Sequence, residues 1–451
     1  MRSINPATGA VFAEHAPAFA DEVDSALQTA HAAYLAWRTS PITHRADLAR
    51  ALAARLRARK EALATLCTWE MGKPLSEARG EVTKCAWLCE HYADVAAQTL
   101  RPIGIETDAT RSAVRFDPLG VVLGIMPWNF PFWQAIRYAV PAITAGNACL
   151  LKHAPNTWGV SAAIESLFDE AGYPRGLMTH LPIEVALVES VIEDDRVAAV
   201  TLTGSERAGR VVAAQAGRAI KPSVLELGGS DAFLVLADAD LEEAARVAVI
   251  SRFLNAGQSC IGAKRILVES GVHDAFVALL QARVQALRVG EPMHEDTDIG
   301  PLARADLREN LQRQIEDTVA EGATLVVGGQ IPAGPGFFYP PSLLVGLTAE
   351  MTAFREETFG PVACVARVED VGHAVRLANA SPYGLGATVF TNAARGEALA
   401  AQLEAGHVSV NGLVKSDPRL PFGGVKLSGY GRELGPWGLK AFVNVKTVWV
   451  A

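Results

Sequence analysis

Residues 120–152 read GVVLGIMPWNFPFWQAIRYAVPAITAGNACLLK, and this stretch decides the fold. It opens on an apolar run, Gly120-Val-Val-Leu-Gly-Ile-Met, and closes on another, Asn147-Ala-Cys-Leu-Leu-Lys. Short, uniformly apolar runs of this kind read as strands buried on both faces, and residues 133–144 between them read as a helix. Although the stretch is the most apolar in the chain, Pro127, Pro131, Arg137 and Pro141 cannot share one membrane-spanning helix. It is therefore read as protein interior.

The alternation continues outward. Val197-Ala-Ala-Val-Thr-Leu-Thr and Asp231-Ala-Phe-Leu-Val-Leu read as further strands, with helices over 159–171 and 206–217. A second series follows a break near Gly228-Gly229: strands at Arg265-Ile-Leu-Val-Glu, Ala323-Thr-Leu-Val-Val, Val362-Ala-Cys-Val-Ala-Arg-Val and Ala387-Thr-Val-Phe-Thr. Helices over 273–289, 305–321, 371–379 and 393–403 separate them. Two such series predict an α/β chain of doubly wound open sheets. Before them, residues 21–100 are helical, with one long helix over 42–67, and residues 99–114 fit two strands joined by a turn near Asp108.

A chain of 451 residues, half of them hydrophobic, is too long for one core and implies two or three domains. The net charge of −8 and the absence of any Lys/Arg-rich run exclude a nucleic-acid-binding surface of the usual kind. Small molecules or other protein chains are the expected partners. Met1-Arg2-Ser3-Ile4-Asn5-Pro6 carries no apolar signal core, so a cytoplasmic location is expected. Six cysteines over this length make no disulfide framework. Cys85 and Cys89 share a helix face near His91, but no further ligands stand at suitable spacing, so packing is expected there rather than a metal.

Three segments carry chemistry. Cys260 lies in Asn255-Ala-Gly-Gln-Ser-Cys-Ile-Gly-Ala, whose small residues leave room for a carbon to approach the sulfur. On spacing alone a buried structural cysteine is the better reading. Leu225-Glu226-Leu-Gly-Gly places a carboxylate at the end of an apolar strand, where open α/β sheets hold their sites. It suits proton transfer from a thiol or from water, or else a solvated loop. Met126-Pro-Trp-Asn129-Phe-Pro pins one amide in a rigid apolar turn, suited to a developing oxyanion or to a simple turn.

Together with Leu151-Lys152, Leu202-Thr-Gly-Ser205, Gly257-Gln-Ser-Cys260, Glu356-Glu357-Thr-Phe-Gly-Pro and Pro421-Phe-Gly-Gly-Val-Lys-Leu-Ser-Gly, these segments resemble the aldehyde dehydrogenase superfamily over nearly the whole chain. The resemblance implies that Cys260 attacks an aldehyde to form a thiohemiacetal. The Asn129 amide and the Cys260 N–H would hold the oxyanion, a nicotinamide would take the hydride, and Glu226 would activate water against the thioester. For the cofactor it implies Lys152 at the adenosine ribose, Gly204 and Ser205 at the pyrophosphate, and Glu357 with Phe359 at the nicotinamide ribose. Met126, Pro127, Trp128, Pro155 and Leu227 would line the same site. No G-x-G-x-x-G follows the first strand, and Gly429-Tyr-Gly-Arg-Glu-Leu-Gly has the wrong spacing and context for one.

Family anatomy further implies a Rossmann-like cofactor domain (residues 1–98 and 115–227) and a catalytic domain (228–435). Residues 99–114 and 436–451 would form a small β oligomerisation arm, giving a homodimer or homotetramer. Members preferring NAD often carry Glu three residues after the lysine, where this chain has Pro155. Nothing there repels a 2′-phosphate, so NADP is expected to be accepted and even preferred, with NAD use left open. His153 is expected to pack.

Within the superfamily, the Lys152-His-Ala-Pro-Asn and Leu225-Glu-Leu-Gly-Gly-Ser-Asp segments look most like bacterial succinate-semialdehyde dehydrogenases. A substrate with a distal carboxylate needs a cation. Arg137, on the helix of Trp133 and in an otherwise apolar run, is the candidate, against an ion pair with the protein's own acid. Ser416 is a second candidate contact, and Ser259 flanks the nucleophile. Three rivals differ in outcome. Transfer to coenzyme A would yield acyl-CoA, a cofactor-independent Cys/Glu esterase would act without nucleotide, and a structural nucleotide-binding protein would not turn over.

Overall fold

The computed structural model describes residues 1–451, and their strands sort into two large sheets and a three-stranded one, with two small pairs beside them. The first large sheet runs Gly429–Tyr430, Ser223–Glu226, Val197–Thr203, Val121–Met126, Ala148–His153, Met178–His180. All neighbours are parallel except the first pair, where Gly429 faces Glu226 and Tyr430 faces Leu225. From Val121–Met126 the chain winds outward one way, then returns to Val197–Thr203 on the other side. Strand order therefore reverses between these two strands, and a crevice opens beyond their carboxyl ends at Pro127 and Gly204.

The second sheet runs Thr324–Val327, Ser342–Val345, Val362–Val368, Ala263–Glu269, Asp231–Val235, Gly386–Phe390, His407–Val410. Only its first strand is antiparallel. Two separate hydrophobic clusters, of 67 and 43 buried residues, fill the two lobes, as the chain length requires. The first cluster also takes in Phe422, Leu434, Leu439 and Phe442. The chain thus returns to the first lobe well before residue 435, where the sequence reading ends the catalytic domain.

The third sheet pairs Val443–Val450 with Arg111–Pro118 along eight residues and adds Ile103–Gly104. The central strand runs to Pro118, four residues beyond the 114 expected for the arm. The expected helix over 42–67 is two, Ile42–Ala58 and Lys60–Met71, broken at Arg59. Met71 is followed by Gly72 in the left-handed region (φ 84°), where a Cβ would meet the Pro301 carbonyl at 2.9 Å. Strands Ser342–Val345 and His407–Val410 stand where the sequence reading placed none. No helix is long and apolar enough to cross a membrane.

Candidate active site

The loop bearing Cys260 is shaped by three consecutive left-handed residues after helix Leu241–Phe253: Asn255 (φ 56°), Ala256 (φ 52°) and Gly257 (φ 73°). A Cβ on Gly257 would lie 2.2 Å from the Gly360 carbonyl oxygen, so the chain can pass there only as glycine. Side chains hold this costly backbone in place. Asn255 Nδ2 donates to the Asn129 carbonyl at 2.7 Å, and Gln258 Nε2 donates to the Asn255 carbonyl at 3.1 Å. Lys264 Nζ donates to the carbonyls of Cys260 (2.9 Å) and Gly229 (2.6 Å) and to Glu357 Oε1 (2.7 Å).

Cys260 is half-buried, and burial pushes its thiol up to about 12, opposed by the nearby Lys264 ammonium. Asn129 Nδ2 donates to the Gln258 carbonyl at 3.0 Å, which fixes the amide while leaving its second N–H uncommitted. Glu226 sits at the end of its strand, 2 % exposed, with neither carboxylate oxygen hydrogen-bonded. Burial, reinforced by neighbouring Glu433, raises it well above the usual carboxylate range. It lines neither of the cavities described next, in contrast to Cys260 and Asn129.

Cys260 stands where two cavities meet. The larger, about 750 Å³, lies over the crevice of the first sheet. Pro127, Trp128, Asn129, Gly204, Ser205, Leu227, Glu357 and Phe359 line it. Ser205 caps helix Glu206–Arg218 with its hydroxyl accepting from Ala208 N–H, and Trp128 meets Phe359 edge to face at 5.8 Å. Met126 is buried at the end of its strand, and Pro155 opens a single helical turn after Ala148–His153. Lys152 is 7 % exposed and has no hydrogen-bonded or ionic partner, and burial lowers its ammonium. His153 does pack: its Nε2 meets the Pro131 carbonyl at 2.9 Å, and burial holds it down to about 4. Arg207, Arg304, Leu307 and Asn310 also line the cleft and were not anticipated.

The second cavity, about 280 Å³, is walled by Phe130, Trp133, Leu254, Ile261, Leu413 and Phe422, with Ser259 and Ser416 among the polar groups. Arg137 reaches this wall, but its Nε pairs with Glu433 Oε2 at 2.5 Å and both residues are buried. The protein thus supplies an acid for Arg137, the ion pair held open as the alternative, while the residue keeps its place on the cavity wall. Glu433 had no signal in sequence beyond its place in the glycine-rich tail. Gly429-Tyr430 is strand rather than a phosphate loop, as its context indicated.

A model described as the aldehyde dehydrogenase family matches residues 1–448. The chain belongs to the aldehyde dehydrogenase family. This aldehyde dehydrogenase is 48 % identical over 448 residues to the succinate semialdehyde dehydrogenase [NAD(P)+] of Escherichia coli, covering 99 % of this chain and 97 % of the relative. It is 46 % identical to the succinate-semialdehyde dehydrogenase [NADP(+)] of Mycolicibacterium paratuberculosis, covering 100 % and 96 %. Among solved structures it matches succinic semialdehyde dehydrogenase from Streptococcus pyogenes in complex with NADP+, with TM-score 0.97 and 37 % identity over 100 % and 99 % of the two chains.

Proposed function

We propose that this enzyme oxidises succinate semialdehyde to succinate with NADP as hydride acceptor, NAD also serving. The observation that carries the reading is the position of Cys260 at the junction of a dinucleotide-sized cleft and an apolar cavity. The names of its relatives support the substrate and the cofactor.

The residues fit the cofactor. Lys152, a buried ammonium without an anion, suits the ribose hydroxyls or a 2′-phosphate, and no carboxylate follows it at Pro155. Gly204 leaves the backbone open beside the N-terminus of helix Glu206–Arg218, as pyrophosphate binding requires. Glu357, held by Lys264 and the Gly229 N–H, is placed for ribose hydroxyls. Bound there, the nicotinamide supplies the two-electron acceptor.

The chain's own residues do the rest. Cys260 Sγ, as thiolate, adds to the aldehyde carbon, and the free Asn129 N–H with the Cys260 backbone N–H meets the alkoxide. Loss of hydride from that carbon leaves a thioester. Glu226 takes a proton from water, the resulting hydroxide displaces sulfur, and succinate leaves with the thiolate restored. A water-activating carboxylate also argues against transfer to coenzyme A. The three-stranded sheet leaves an outer edge along Val443–Val450, where Val445 and Trp449 are exposed. That edge supports assembly into a homodimer or homotetramer of a cytoplasmic enzyme.

Initial rates with succinate semialdehyde, glutarate semialdehyde and propanal, each with NADP and NAD, test the reading. Strong preference for succinate semialdehyde and faster reduction of NADP are expected. Equal rates with propanal would remove the substrate assignment.

A further inference from the structure

Lys264, at the start of strand Ala263–Glu269, is a buried cation set against the nucleophile's own peptide. All three of its N–H groups are committed: to the Cys260 carbonyl at 2.9 Å, the Gly229 carbonyl at 2.6 Å and Glu357 Oε1 at 2.7 Å. The glycine pair makes this junction possible. A Cβ on Gly228 would lie 2.5 Å from Glu357 Oε2, and one on Gly229 would lie 2.6 Å from the Cys260 carbonyl oxygen.

The loop has other anchors for its shape. Arg252 donates to the carbonyls of Gly257, Thr358, Gly360 and Val362, while Asn255 and Gln258 tie the left-handed turn. What Lys264 adds is charge. Burial is the main cause that raises the Cys260 thiol, and groups from four elements act on it besides. Lys264 and, from helix Pro131–Ala145, Arg137 draw it down; Glu357, after helix Thr352–Arg355, and Asp231, opening strand Asp231–Val235, push it up. Arg137 is already paired with Glu433, and burial pushes Asp231 up to about 7. The balance at the sulfur therefore lies chiefly between Lys264 and Glu357.

We propose that Lys264 is the positioning residue that makes the Cys260 thiolate attainable, its ammonium lodged between the Cys260 carbonyl and Glu357 so that it offsets both the burial of the sulfur and the charge of the acid. The proposal rests on Cys260 as the nucleophile and adds the group that favours its ionised form. A buried thiolate without a neighbouring cation is costly, and only the thiolate adds to an aldehyde. Lys264 meets neither aldehyde nor sulfur by a hydrogen bond of its own, and it works through the field it places on Cys260.

The test is the rate of alkylation by iodoacetamide across a pH series, with the adduct located on Cys260 by mass spectrometry. Lys264→Met should slow the reaction about tenfold at each pH, and Glu357→Gln should speed it. The double variant, Lys264→Met with Glu357→Gln, leaves no unpaired acid. It should react about tenfold more slowly than Glu357→Gln alone, and it reads the lysine even where the single variant does not fold. A loop merely loosened would expose the thiol and react faster, so the direction separates charge from anchoring. Alkylation that is no slower without Lys264, or no faster without the Glu357 charge, would overturn the proposal. Alkylation of wild-type Cys260 that leaves oxidation intact would remove the nucleophile, and this inference with it. Alkylation that ends oxidation while the variants react alike removes Lys264 alone.

Discussion

Replacing Glu226 by Gln keeps the size and shape of the side chain and removes its capacity to take a proton. The structure indicates little cost in stability. The carboxylate is buried, its oxygens have no hydrogen-bond partners, and Glu433 beside it opposes its charge. The kinetic effect should fall on hydrolysis of the thioester alone. A positioned general base is worth about 10²- to 10⁴-fold, or about 3–5 kcal/mol of barrier at 1.4 kcal/mol per decade. Stopped-flow absorbance of reduced nucleotide should then show a burst of about one equivalent per active site, followed by a steady rate reduced by that factor. Since burial and Glu433 raise Glu226 above the usual carboxylate range, hydrolysis in the wild type should speed up as pH rises and the group ionises. That dependence should be absent in Glu226→Gln. A variant with normal steady turnover and no burst would refute the assignment of Glu226 as the base.

Lys152→Ala should weaken binding of NADP by about 10- to 100-fold and of NAD by less, measured by quenching of tryptophan fluorescence; equal losses would place Lys152 at the shared ribose only. Glu81→Ala strands buried Lys73 and two N–H groups at the start of helix Pro131–Ala145, so urea unfolding should show a loss of about 3–5 kcal/mol. Cys260→Ala should abolish oxidation, and any remaining activity would sink the covalent route.

The doubly wound sheets were legible because buried parallel strands announce themselves as short apolar runs, and Val197–Thr203 and Val362–Val368 fall at the bounds read from sequence. Short strands such as Ser342–Val345 were lost because four residues carry too little pattern, and their place is set by pairing with Val362–Val368. The cofactor residues were named through the family resemblance rather than through local pattern, since no G-x-G-x-x-G follows the first strand. For Arg137 the sequence left a substrate contact and an internal ion pair both open, because burial says that a charge needs a partner without saying whose, and Glu433 lies almost three hundred residues on.

The antiparallel pairing of Gly429–Tyr430 with Leu225–Glu226 has a consequence in time. Ser428 also accepts from the Leu227 N–H and donates to the Gly228 carbonyl, and Glu433 closes on Arg137. A ribosome that has released the nucleophile, the second sheet and the parallel strands of the first has still not delivered the segment that seats Glu226. During synthesis the chain thus carries its thiol before it has a positioned base, and competence waits for residues 428–433 to emerge.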